Sequence, residues 1–211
     1  MASYSISDID SWERFYRANF INSLTGFKSV NLIGTVSDRG QINLGIFSSI
    51  VHIGSNPPLI GYINRPLKAA SHTLVNIKAT GNYTINHIHP SFLPSAHQTS
   101  AKYEAGISEF GEVGLTPEFH KNISAPFVKE SVIKYALSLE QIIPIELNDT
   151  FLVIGKIMFI QIEKNIISED GFLHLDKADS ICSNGNDGYY TTALITRYSY
   201  AKPGIEPQKI S

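Results

Sequence analysis

The chain has 211 residues, a formal net charge of −2, 43% hydrophobic residues and 17% charged ones. That length suits one domain with a proper core, the sparse charge is not that of a disordered chain, and the near-neutral balance offers nothing to nucleic acid. No apolar run approaches the roughly 18 residues of a membrane span, and residues 1–10 are polar and acidic, unlike a signal peptide, so a cytoplasmic protein is expected.

Residues 10–20 are predicted to form a helix capped by Asp10 or Ser11, because Trp12, Phe15, Tyr16 and Phe20 recur at helical spacing. Residues 1–25 are thus read as a helical extension of a single domain spanning residues 1–211. Residues 28–37, rich in Val, Leu, Ile and Thr, read as a strand. Ser37-Asp38-Arg39-Gly40 is a hairpin turn, and residues 41–51 are the returning strand. After the break at Ser55-Asn56-Pro57-Pro58, residues 59–64 form a short apolar strand. Residues 68–79 are expected to be helical, with Leu74, Ile77 and Lys78 at turn spacing and Gly81 as the stop. Residues 82–88 are a strand. From 89 to 125 periodicity fades among Pro, Ser, Gly and Asn, and a loop this long in a compact domain is a candidate functional segment. Residues 134–144 and 150–164 are strands joined by a turn, the second apolar enough to be buried on both faces. Residues 189–200 read as the last strand, and 203–211 as a mobile tail or one that lies on a partner. Seven or so strands, hairpin connections and two short helices describe a mainly β, antiparallel barrel.

The common catalytic motifs are absent. There is no phosphate loop with Gly-Lys-Ser/Thr, no Gly-x-Gly-x-x-Gly after a strand and no nucleophile elbow. His87 and His89 lack a third ligand, so no metal is expected. The one cysteine, Cys182, lies in a small polar stretch without a cation to activate it. Three segments carry more information. In Asn43-Leu44-Gly45-Ile46-Phe47-Ser48-Ser49-Ile50 strand character gives way to hydroxyls and exposed amides that suit a phosphate or a ring edge. In Asn64-Arg65-Pro66-Leu67-Lys68 two cations precede a helix start, and Ser71 and Thr73 add hydroxyls, which suits an anion. The stretch from Thr99 through Tyr103 to Phe110 sets an aromatic among polar neighbours on a loop, as a cover for a flat ring would be.

In this order the three segments resemble the flavin reductase-like family of FMN-binding split barrels, which includes flavoredoxins and the reductase components of two-component monooxygenases. Asn56-Pro57-Pro58-Leu59-Ile60, Gly81-Asn82-Tyr83-Thr84-Ile85-Asn86 and Gly106…Glu109-Phe110…Gly114-Leu115 complete the resemblance, which covers roughly residues 23–200. It implies an antiparallel split β-barrel that binds FMN. Ile46, Phe47, Ser48 and Ser49 would touch the isoalloxazine edge and ribityl chain. Arg65, Lys68 and either Ser71 or Thr73 would hold the phosphate. Asn86, Ser100 and Tyr103 would line the pocket. The implied activity is that of an NAD(P)H:flavin oxidoreductase fed by NADH or NADPH, the alternative being a flavoredoxin-like electron carrier. The implied assembly is a homodimer with FMN at or near the interface, serving a monooxygenase or another redox partner. Sparse surface charge agrees with a covered face.

Overall fold

The computed structural model describes residues 1–67, 72–104 and 106–210. Two short helices come first, α1 (Ile6–Ser11) and α2 (Arg14–Leu24). The single helix expected over residues 10–20 is interrupted where Trp12 is extended. Ser5 caps α1, and Glu13 replaces Asp10 or Ser11 as the cap of α2 by accepting from the N–H groups of Phe15 and Tyr16.

The strands then follow: β1 (Lys28–Ser29), β2 (Asn31–Val36), β3 (Ile42–Phe47), β4 (Ile50–Ser55) and β5 (Pro58–Asn64). Helix α3 (His72–Thr80) leads into β6 (Asn82–His87). Next come α4 (Leu93–Gln98), α5 (Glu109–Val113), β7 (Pro117–His120) and β8 (Ile123–Val128). The long pair β9 (Ile133–Ile145) and β10 (Thr150–Ile162) precedes β11 (Cys182–Asn184), β12 (Gly188–Tyr190), β13 (Arg197–Tyr198) and β14 (Lys209–Ile210).

Seven strands form one antiparallel sheet in the order β3-β2-β6-β9-β10-β5-β4. It curls around Ile33, Tyr62, Leu74, Ile77, Tyr83, Ile85, Leu137 and Val153, all fully buried. Its edges, β3 and β4, do not pair with each other, so the barrel is split. They are nevertheless consecutive in the chain. The strand expected over residues 41–51 is two strands, because the backbone leaves the ladder at Ser48-Ser49. There the Ser49 hydroxyl accepts from Ile63 N (3.3 Å) and donates to Ile63 O (3.1 Å), standing in for a backbone pair.

The aperiodic stretch 89–125 is largely structured. β8, which begins in this stretch and runs three residues past it, docks on the outer face of β6 through side chains of β6. Asn82 Oδ1 accepts from Ala125 N (3.2 Å), Thr84 Oγ1 donates to Pro126 O (2.6 Å), and Asn86 Oδ1 accepts from Val128 N (2.9 Å). The period-2 alternation of a strand puts these three polar residues on one face. Gly34 of β2 permits the close approach, since a Cβ there would collide with Pro126 O.

Three further expectations change. β10 is covered only in part: His120 and Phe127 of β7 and β8 pack on Phe159, while Met158 and Ile160 stand exposed. Residues 189–200 contain only the end of β12 and the two-residue β13. The tail expected to be mobile folds back, pairing β14 with β13.

Candidate functional site

The open edge of β3 dictates what can bind beside it. In an antiparallel ladder, alternate residues turn their N–H and C=O toward the partner or away. Leu44 N donates to Glu109 Oε2 (2.9 Å) on α5, so Leu44 points away from β2. By the same parity Ile46, two residues and about 7 Å along, turns its N–H to the same open edge. Ser48 follows where the strand kinks, with its side chain half-buried. A free strand edge of this kind is a row of backbone donors for a planar ligand or another chain.

Glu109 closes off the other end of that edge. It is 7% exposed, and burial pushes its carboxyl above the usual range, while hydrogen bonds from Leu44 N and its own N–H and the nearby His72 pull it back. Asn43 connects it to α3. The amide orientation that satisfies both neighbours has Nδ2 donating to Glu109 Oε1 (3.3 Å) and Oδ1 accepting from Thr73 Oγ1 (3.3 Å). Asn43 and Thr73 are as buried as Glu109, at 8% and 6% exposed.

The predicted site residues divide by their surroundings. Ile46, Phe47, Ser48 and Ser49 lie together on the β3–β4 bend, with Phe47 edge-on to Tyr62 (centroids 5.1 Å) and Ser49 occupied by Ile63. Arg65 is exposed just past β5, and its Nη2 donates to Asn186 Oδ1 (3.3 Å) in the β11–β12 turn. Lys68 and Ser71 lie outside the described residues. Thr73 is turned inward to Asn43. Ser100 is exposed, and half-buried Tyr103 accepts from Gln98 Nε2 (3.3 Å). Asn86 is in the barrel wall at 0% exposure. Its Nδ2 donates to Leu32 O (3.2 Å) and Thr84 Oγ1 (3.0 Å), and with Val128 N on Oδ1 its amide is fully engaged.

Sequence reasoning gave no role to Asn43, Asn186 or the pair His97–Tyr189, whose Nδ1 and Oη are 2.7 Å apart. The β11–β12 hairpin thus touches both the Arg65 loop and α4. A polar Asn within the apolar run of β3 was a legible signal; the hairpin contacts join residues about 90–120 positions apart in the chain and had none. His87, at the end of β6, meets Ser180 Oγ through Nδ1 (2.7 Å), and burial holds its imidazole down at about 4. Among the described residues no three His, Cys, Asp or Glu side chains gather as metal ligands, and no helix is long and apolar enough to cross a membrane.

Residues 25–180 match the family described as flavin reductase like domain. A provisionally assigned flavin reductase with a split barrel domain from Shewanella frigidimarina is 46% identical, covering 95% of this chain and 100% of that one at a TM-score of 0.92. Nitrilotriacetate monooxygenase component B from Bacillus cereus is 20% identical over 93% of this chain and 98% of its own, with a TM-score of 0.82. Flavoredoxin of Desulfovibrio vulgaris is 22% identical over 85% and 92%, with a TM-score of 0.70. The last two are likenesses of fold.

Proposed function

This chain belongs to the flavin reductase-like family, and from that premise we propose that it binds FMN along the open edge of β3 and passes electrons to it from NADH or NADPH. The observation that carries the reading is the edge itself. An outward backbone donor at Ile46 and the Ser48 hydroxyl lie at a kink, and an exposed cation, Arg65, stands past β5. These groups fit a flavin: amides for a ring edge, a hydroxyl for a ribityl chain, a guanidinium for a phosphate. Lys68 and Ser71 join the phosphate set by sequence, and Tyr103 and Ser100 flank the ring from the 99–110 loop.

FMN, when bound, would supply the two-electron acceptor for a hydride. The chain's own part is positional. The Ile46 N–H steadies negative charge that develops at the ring edge, and the Ser49–Ile63 bonds hold the kink that aims it. Hydride transfer to a flavin requires no side-chain acid or base.

A homodimer belongs to this proposal. Val51 and Ile53 on β4 and Met158 and Ile160 on β10 form exposed apolar strand surface of the kind a second copy covers. The single cysteine suits a reducing cytoplasm. The test is a flavin-fluorescence titration with FMN and riboflavin, followed by NADH and NADPH oxidation with FMN present. Native protein should bind FMN and oxidise a nicotinamide. Arg65→Ala/Lys68→Ala should lose about two to four orders of magnitude in FMN affinity, from about 1.5–3 kcal/mol per charged contact, and much less for riboflavin. Equal losses for both flavins would move the phosphate elsewhere. FMN binding without nicotinamide oxidation would make the protein an electron carrier.

A further inference from the structure

The helices α1 and α2 bury no residue, although Tyr16, Phe20 and Leu24 repeat at four-residue spacing as one apolar stripe. Their rings gather on one another: Trp12 lies 5.1 Å from Tyr4 and from Tyr16, and 4.8 Å from Phe20. Phe15 and Leu24 remain 71% and 70% exposed. The arm is nonetheless fixed at its base. Lys28 Nζ donates to Asn22 O (2.8 Å), and Phe27 sits edge-on to Tyr190 (4.8 Å). An isolated helix of 11 residues is marginal in water, so α2 needs a cover that the described residues do not supply.

One face of the main sheet lacks a cover as well. Leu32 of β2 and Leu44 of β3 lie under Ala96 of α4 and Phe110 of α5. Ala136 of β9 lies under Ile123 and Phe127 of β8. The outer face of β4, β5 and the first half of β10 remains. There Val51, Ile53 and Leu152 close over Gly61, Val51 and Ile53 are exposed, and no described helix covers them.

We infer that the α1–α2 arm of each protomer docks on this sheet face of a second copy. The inference rests on the homodimer reading and names what builds the interface. The dimensions agree, since α2 is about 16 Å long and three strands about 4.8 Å apart offer a face of similar width. A helix laid on a sheet face is a stable layer. A different protein seated on the arm would leave the sheet face bare, whereas a two-fold axis covers both surfaces twice. The arm leaves on the order of 600 Å² of apolar surface open, at about 150–250 Å² for each large side chain. With the sheet face added, each copy reaches the about 800 Å² that one side of a stable interface buries. Charge agrees too: Asp10 is exposed on α1, and Lys156 is exposed two residues beyond Ile154 on the sheet face.

Sedimentation equilibrium of the full chain tests this, with lysine placed at exposed positions of either surface. Lysine is a good helix former and is tolerated on edge strands. Tyr16→Lys/Leu24→Lys and, separately, Val51→Lys/Ile53→Lys should each raise the dimer dissociation constant about a hundredfold or more, because anchors are lost twice per dimer. In the native protein, hydrogen exchange of the α2 amides should slow at least about tenfold from dilute monomer to concentrated dimer. A dimer weakened by the β4 pair but untouched by the arm pair, with α2 exchange independent of concentration, would overturn the inference and leave the homodimer standing. Weakening by the arm pair alone would place the arm elsewhere and overturn it too. A native chain that stays monomeric at every concentration would sink both readings.

Discussion

Replacing Asn86 with Ala separates a wall residue from a pocket residue. Asn86 is fully buried on β6 and ties it to β2 through Leu32 O and to β8 through Val128 N. In the Ala variant the Val128 N–H loses its acceptor in the interior, costing about 1–3 kcal/mol. Losing the bonds from Nδ2 adds about one more, giving roughly 2–4 kcal/mol against a total stability of about 5–15 kcal/mol. For a chain of this length that corresponds to a melting midpoint lower by about 5–15 °C. Thermal unfolding followed by circular dichroism reads the shift, and an FMN titration well below the transition reads the site. The folded variant should bind FMN within about threefold of the native protein, a difference of under 1 kcal/mol. An unchanged midpoint with FMN affinity lost would mean that Asn86 faces the ligand and that β8 is held by something else.

Gly34→Ala should also be damaging, because its Cβ would run into the Pro126 carbonyl, which as backbone cannot swing aside, and come within 2.6 Å of Thr84 Oγ1. A cost of about 1–3 kcal/mol or more is expected by overpacking; a urea midpoint equal to the native one would show that β8 sits further from β2. For His87 the pH dependence is set by burial, which lowers its folded value from 6.5 to about 4. The folded state then takes up this proton less readily than the unfolded chain. Its contribution is constant above about pH 6.5 and declines as pH falls toward 4, by up to about 3 kcal/mol. Urea unfolding between pH 7 and 4 should show a shallower loss in His87→Asn than in the native protein, and parallel curves would refute it.

The strands were legible because their causes are local. β-branched and other apolar residues mark β2, β5, β6, β9 and β10, and Ser37-Asp38-Arg39-Gly40 marks the first hairpin, with Gly40 at positive φ. The motif segments also carried the family resemblance. What the sequence could not decide was which polar residues face a ligand and which face protein. Asn86 and Arg65 both stood as site residues; one is sealed in the wall by β8 and the other is exposed beside the β11–β12 turn. The difference arises from contacts across 42 and 121 positions of chain, which no local pattern encodes. The kink at Ser48-Ser49 is of the same kind. Two hydroxyl residues in a β run read as one strand, and only the seating of Ser49 on Ile63 turns them into the bend that leaves β3 with an open edge.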